Sequence, residues 1–262
     1  MSTVHQASIV AQFTRTADAF ASAPQFTDLE TLNLLLKVTR ATPQDDSLDV
    51  ACGAGVVAVH FASVVRHATG IDLTPAMLNK ARERQVKAGL INLTWDEGDV
   101  ANLPYPDGKF SVVTSRFAIH HMINPESVFE EIFRVCKIGG RIAICDISLP
   151  NDPDAAAAFN RIESQNDPSH AKALMESEWQ TLFNRSALSD MSITRYQLAF
   201  PLRKMLQASF VPEDQAQEIE REVRNQISEG SLRFCAALKA DRCMFLYPIA
   251  VMSAMKIATD ET

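Results

Sequence analysis

Residues 48 to 55 read Leu-Asp-Val-Ala-Cys-Gly-Ala-Gly, a short apolar strand that carries one aspartate and runs into a Gly-x-Gly turn. Gly53 and Gly55 accept positive φ angles and let the backbone approach a ligand where a Cβ would block it. The apolar Val56-Val57-Ala58-Val59 that follows suits a buried helix. A strand, a glycine turn and a helix in that order fit a nucleotide-like cofactor. Taken alone, the same turn also serves as strand-to-helix packing with no ligand.

From about residue 27 onward, helix-period and strand-like segments alternate, each boundary with its own punctuation. Thr27 and Glu30 make a capping box ahead of Leu29, Leu32, Leu35 and Leu36, and Asp45-Asp46-Ser47 is the turn before the first strand. Thr69 to Leu73 reads as the end of a second strand, Thr74-Pro75 as the N-cap and first residue of a helix, and Gly89 as its stop. Leu93–Trp95 is a third strand, Tyr105-Pro106-Asp107-Gly108 a β-turn, and Phe110 to Thr114 a buried strand. Asn124-Pro125 opens a helix with Val128, Phe129, Ile132, Phe133 and Val135 inward. Gly139-Gly140 is read as its end, and Arg141 to Ile147 as the next strand.

About five strands with intervening helices predict an α/β fold, a doubly wound and mostly parallel sheet whose ligands bind at strand C-termini. Strands near Ile193–Phe200 and Met244–Val251, flanking a charged helix from about Glu213 to Ser228, complete a seven-stranded sheet with an antiparallel edge strand. Residues 151–190, alanine-rich at first and helix-like again around Glu176 to Ser186, read as a helical cap that contributes to a substrate pocket. Residues 1–40 read as N-terminal helices forming a lid, and 1–262 as one domain.

With 262 residues, 47% of them hydrophobic, the chain can bury a full core. Its net charge of −7 argues against sequence-independent nucleic-acid binding, which needs a basic surface. Met1 to Phe13 lacks a basic stretch followed by an apolar one, and the longest apolar run, Met244 to Met255, is too short to span a bilayer. The reading is a soluble, cytoplasmic protein with no membrane span; a homo-oligomer is left open. Cys52, Cys136, Cys145, Cys235 and Cys243 are odd in number, scattered and without a Cys-x-x-Cys pair, as in a reducing compartment. Cys52 is read as a small packed residue rather than a reactive thiol, and no metal site is assigned.

Three acids fall at the ends of the first three strands: Asp49, Asp72 and Asp99. Two ribose hydroxyls can donate to one carboxylate, and Asp72 lies about 20 residues beyond the glycines as that role requires. An adenine amino group accounts for Asp99, and a cofactor carrying an ammonium group for Asp49.

In these segments the chain resembles the class I S-adenosylmethionine-dependent methyltransferases, particularly their UbiE-like branch. The resemblance covers roughly residues 12–190. It rests on Leu48 to Gly55, on Gly70-Ile71-Asp72-Leu73-Thr74-Pro75-Ala76-Met77-Leu78 and on Gly98-Asp99-Val100-Ala101-Asn102-Leu103-Pro104-Tyr105. Arg116-Phe117-Ala118-Ile119-His120-His121 and Phe133 to Arg141 continue it. It implies a Rossmann-like methyltransferase fold, S-adenosyl-L-methionine as cofactor and a small-molecule methyl acceptor. Asp49 would then orient the methionine moiety, with Ala51 and the Gly53 and Gly55 backbone close to the cofactor. Asp72 would hold the ribose hydroxyls, Leu73 and Met77 would pack on adenine and ribose, and Asp99 and Val100 would sit at the adenine. The segment from Arg116 would lie beside the sulfonium. Lys137-Ile138-Gly139-Gly140 departs from the family, which usually has proline before the glycines.

Methyl transfer from a sulfonium is an in-line displacement, so alignment and exclusion of water supply most of the rate. A weakly acidic acceptor also needs a base near neutral pH, and His121, His120 and His170 are the candidates. His120 and His121 are neighbours whose side chains would diverge by about 100° on a helix, so only one would face the cleft. His170, after Asp167-Pro168 read as an N-cap and first helical residue, is either a surface residue of a first turn or a substrate-facing base. Arg116 pairs with an acidic substrate, with the cofactor carboxylate, or in a structural salt bridge. Phe13 and Phe20 belong either to the closing lid or to a helix face packed on the core.

Two other functions stay open at this level. A nicotinamide-dependent oxidoreductase also satisfies Gly53-x-Gly55-x-x-Ala58 with Asp72, and a protein that binds the cofactor without methylating anything would share every cofactor motif. Phe159, Met175, Trp179, Phe183 and Phe200 suit an apolar acceptor pocket, but the same residues serve more readily as the core of the cap.

Overall fold

The computed structural model describes residues 3–22, 29–184, 187–230, 232, 235–239 and 242–258. Thr27 of the expected capping box lies outside them. Helices α1 (Thr3–Ser22) and α2 (Leu29–Thr39) precede the sheet. The chain then alternates through β1 (Asp46–Val50), α3 (Val56–Ala62), β2 (His67–Asp72), α4 (Pro75–Ala88), β3 (Leu93–Glu97), β4 (Phe110–Arg116), α5 (Pro125–Val135) and β5 (Cys136–Leu149). After β5 come α6 (Pro153–Asn166), β6 (Leu174–Met175), α7 (Glu176–Phe183), β7 (Leu188–Pro201), α8 (Leu202–Ala208), α9 (Glu213–Glu229), β8 (Ala236–Lys239) and β9 (Arg242–Lys256).

The strands run in the order β3-β2-β1-β4-β5-β9-β7, with short β6 beside β5 and β8 beside β9. The first five pair in parallel, whereas β9 is antiparallel to both of its main-path neighbours. The antiparallel strand is therefore one place in from the edge, with β7 outside it. Both faces of the sheet are covered, and the period-two alternation of strand side chains shows it. Val112, Ala143, Cys145, Ile249 and Val251 join the apolar cluster that contains Leu35 of α2 and Phe61 of α3. Their neighbours Val113, Ile142, Ile144, Ala250 and Met252 join the cluster that contains Phe129 and Ile132 of α5.

Some boundaries differ from the sequence reading for local reasons. Helix α5 starts as expected, with the Asn124 side chain accepting the Ser127 N–H. It stops at Val135, before the glycines, because Cys136 already pairs with Phe110 of β4. Lys256 Nζ then donates to the carbonyls of Phe133 and Cys136 at 2.7 and 2.9 Å, satisfying groups the ended helix leaves open. Asp167-Pro168 opens no helix: Asp167 follows the last residue of α6, and its Oδ1 accepts from the Ser169 N–H and hydroxyl, forming an Asx-type turn. Helix α7 ends at Phe183.

Gly55 has a structural task. Its φ is 73°, and a Cβ there would lie 2.5 Å from Trp95 Cη2 and 2.7 Å from the Ala81 Cβ. Gly55→Ala is expected to cost about 2–4 kcal/mol, from overpacking plus a left-handed backbone. Urea unfolding would check this, and a loss below about 0.5 kcal/mol would contradict it.

Candidate active site

Between β1 and β4 the strand order reverses, and the C-terminal ends of these strands open onto a cavity, where a doubly wound sheet places its ligands. Asp49 of β1, Ala51 and Gly53 of the glycine turn, Asp72 at the end of β2, Met77 of α4 and Arg116 at the end of β4 all line it. Ile9, Phe13 and Phe20 of α1 lie across from them and narrow it to about 130 Å³. Gly53 has φ 51°, and a Cβ there would meet nothing within 4 Å, so its face is open. Asp72 anchors the turn: Oδ2 accepts the Gly53 N–H and Oδ1 the Thr74 N–H, both at 2.8 Å.

Asp49 is buried, and loss of hydration pushes its carboxyl up to about 7. The Thr114 hydroxyl and the Ala58 N–H, each donating at 3.2 Å, only partly offset that. Burial likewise raises Asp72 against its two backbone donors. Two costly carboxyl groups on one wall suit a ligand that brings hydrogen-bond donors and a positive charge. Cys52, buried on the same wall, is held well above the usual thiol range by burial, so it is no thiolate.

Four residues from the sequence-derived cofactor set lie off these walls. Gly55 faces Trp95 and Ala81. Val100 packs in the core with Leu103 and Tyr105, and Leu73 is half-buried beside the loop. Asp99 is engaged from α1: Gln6 Nε2 donates to its Oδ2 at 2.6 Å. His5 Nε2 donates to the His121 carbonyl at 2.7 Å, and Arg84 ties Ala54 to Ala21 through its guanidinium, so α1 is pinned across the cavity at both ends.

A second, larger cavity of about 480 Å³ adjoins the first; Phe20, Phe117 and His121 line both. Phe117 sits in the left-handed region with φ 53°, a strained conformation for a bulky residue. After it a single 3₁₀ turn (Ile119–His121) carries the two histidines. They do not diverge as on an α-helix: their rings are 4.2 Å apart, and both reach the second cavity.

Of the two, His120 is the one held by a carboxylate. Its Nδ1 donates to Oδ1 of the fully buried Asp146 at 2.6 Å, and no hydrogen bond from a described residue is made to its Nε2. The N–H groups of Ala118 and Ile119 donate to Asp146 Oδ2 and that of Ile147 to Oδ1, which fixes the carboxylate. Burial alone would lower His120, but the Asp146 charge and hydrogen bond outweigh it and raise the ring above its ordinary value. Burial would raise Asp146; the His120 ring and these donors hold it low. His121 is the opposite case. Burial and the neighbouring His120 push it down to about 4, and its Nδ1 donates to the Ser169 carbonyl.

His170 is neither of the things expected of it. It is buried, lines neither cavity, and donates from Nε2 to Asn160 Oδ1 at 2.7 Å, with burial pushing it down to about 2. Of the apolar pocket candidates, Phe200 lines the second cavity. Phe159 stacks on Phe245, Trp179 Nε1 donates to the Ile147 carbonyl, Phe183 packs edge-on to Phe129, and Met175 packs on the core. Sequence reasoning missed Asp146, Glu163 and Tyr247, and gave Phe117 only as part of the segment from Arg116. Asp146 had a signal, a carboxylate inside the apolar run Ile142 to Ile147; Tyr247 had none.

The match to known proteins decides the family. A methyltransferase-domain model matches residues 42–187. The chain belongs to this methyltransferase family. The uncharacterized methyltransferase YcgJ of Bacillus subtilis is 28% identical over 86% of this chain and 89% of its own length. Its crystal structure superposes with a TM-score of 0.82, covering 88% of this chain and all of that one at 26% identity. A demethylmenaquinone methyltransferase of Listeria monocytogenes is 34% identical over 48% of this chain, but the match spans only 54% of the relative. An N-methyltransferase of Haemonchus contortus, solved with S-adenosylhomocysteine and phosphomonomethylethanolamine, shares the fold with a TM-score of 0.59 at 17% identity, over 87% of this chain and 52% of that one. Among the described residues no helix is long and apolar enough to cross a membrane.

Proposed function

We propose that the protein transfers a methyl group from S-adenosylmethionine to a small molecule held in the second cavity. One observation carries this reading: a cavity walled by Asp49, Gly53 and Asp72 meets, at Phe117 and His121, a larger cavity walled by the Asp146-held His120. The donor set fits the cofactor. Asp72 offers carboxylate oxygens to vicinal hydroxyls, the open face of Gly53 leaves room for backbone approach, and Asp49 answers a cationic group. The cofactor supplies an electrophilic methyl group when bound.

The chain's own residues do the rest. Phe20 and Phe117 exclude water where the cavities join, and the second cavity fixes the acceptor's orientation. His120 Nε2 takes the proton that the acceptor loses, while Asp146 keeps Nδ1 protonated and the ring oriented. Arg116 offers a guanidinium to the cofactor carboxylate.

Calorimetry with S-adenosylmethionine and NADH tests the reading. Micromolar binding of the sulfur cofactor and none of NADH is expected; the reverse overturns the proposal. The affinity should also depend on pH. Asp49 holds a proton below about 7 that a cationic ligand must displace, so binding strengthens as pH rises from about 6 to 8, approaching tenfold per unit at the acidic end. A flat profile would remove Asp49 from the site.

A further inference from the structure

The wall of the second cavity behind His120 is polar in a way that methyl transfer does not use. Glu163 and Asn166, in the last turn of α6, are buried, and both line the cavity together with Tyr247 of β9. Tyr247 donates its hydroxyl to Glu163 Oε1 at 2.7 Å. Asn166, 5% exposed, keeps its Oδ1 buried with no hydrogen-bond partner among the described residues. Native interiors rarely leave such an acceptor unused, because the group lost its water on folding and gained nothing in return. The rest of the lining is largely apolar, with Phe20, Phe117, Ile147, Leu198, Phe200 and Ile249.

We infer that Glu163, Asn166 and Tyr247 form the subsite that selects the acceptor, taking an O–H or N–H donor carried on an otherwise apolar molecule that is not an anion. This rests on the methyltransferase reading of the adjoining cavity. Charge points the same way. Glu163 and Asp167 share this wall; of the basic groups in the lining, Lys204 is exposed to solvent and His120 is already paired with the buried Asp146. An anionic head would meet two carboxyl groups, whereas a donor would satisfy the Asn166 Oδ1 that now lacks one. Burial raises Glu163 to about 7 despite the Tyr247 bond, so the carboxyl group itself gains from a donor or a cation beside it. The hydrogen bond from Tyr247 also fixes the carboxyl plane, so the subsite is preorganised rather than assembled by the ligand.

Four probes substituted at the same ring carbon test this: naphthol, naphthylmethylamine, methoxynaphthalene and naphthoate. Binding is read by calorimetry with S-adenosylhomocysteine titrated on the same samples. In the wild-type protein naphthol or the amine should bind at least about tenfold tighter than methoxynaphthalene, which has the same skeleton and no donor, and naphthoate should bind weakest. Which of the two donors leads tells hydroxyl from amine. In Asn166→Leu and Glu163→Gln the preference should shrink to below about threefold while methoxynaphthalene affinity, a check on folding, stays level. Equal binding of naphthol, amine and ether, tighter naphthoate binding, no probe binding at all, or a preference that survives both substitutions overturns the inference. If S-adenosylhomocysteine still binds in those cases, only the subsite is lost; if it does not bind the wild type, the proposed function fails with it.

Discussion

Asp72→Ala is expected to weaken S-adenosylmethionine binding by about a hundredfold to ten-thousandfold, since two hydrogen bonds from hydroxyls to a charged acceptor are worth about 1.5–3 kcal/mol each. The effect has a second source. Asp72 accepts the N–H groups of Gly53 and Thr74, so its removal orphans two donors and loosens the turn that forms the cavity wall. The variant should therefore also lose about 1–3 kcal/mol of stability in urea unfolding. Asp72→Asn separates the sources. One amide oxygen still serves one of these N–H groups, so stability should largely return while cofactor affinity stays low. Affinity within threefold of wild type in both variants would contradict the assignment.

The second large effect lies at His120. With an acceptor that turns over, His120→Ala should lower kcat by about a hundredfold to ten-thousandfold, the usual contribution of a placed base, with S-adenosylmethionine affinity little changed. The pH dependence follows from the direction of the shift. Asp146 raises His120, and a base acts only when unprotonated, so the rate should fall as pH drops through a value above the ordinary histidine range. Asp146→Asn removes the charge that holds the proton. Its acidic limb should move to lower pH, and its plateau should drop because the ring is no longer oriented. The His121→Gln variant, by contrast, should leave the position of that limb in place: His121 is pushed down to about 4 and is already neutral there. An acidic limb unmoved in Asp146→Asn would remove the dyad from the mechanism.

Stability responds to pH through the buried acids in the opposite sense to ordinary salt-bridged carboxylates. The raised folded value of Asp49 means that the native state binds its proton more tightly than the unfolded chain does. Its contribution is therefore full below the unfolded value near 3.8 and lost as pH rises through about 7. On the proposed function, a cationic ligand at this wall offsets that penalty.

Local pattern made much of this legible. The glycine turn, the Thr74-Pro75 helix start and the Asn124-Pro125 start each depend on a few adjacent residues, and so do the acids closing β1 and β2. The alternation of segments gave a doubly wound sheet because parallel strands need a long crossover connection, usually a helix. Gly139-Gly140 misled because glycines signal a turn without saying whether it ends a helix or interrupts a strand; the pairing of Cys136 with Phe110 settles it. His170 misled because Asp167-Pro168 is compatible with either a helix start or an Asx turn, and α6 had already used Asp167 at its C-terminus.

The contacts in and around the two cavities join distant parts of the chain. Tyr247 meets Glu163 across 84 positions, and Gln6 meets Asp99 across 93, because β9 inserts between β5 and β7 and α1 folds back over the sheet. The family, the sheet and the acids at its strand ends were written in short stretches of sequence, where backbone preference and side-chain period act between neighbours. Which histidine keeps a usable ring nitrogen was not. That depends on Asp146 lying in the adjacent strand beneath one imidazole and on burial silencing the other two, and such long-range placement exists only once the chain has packed.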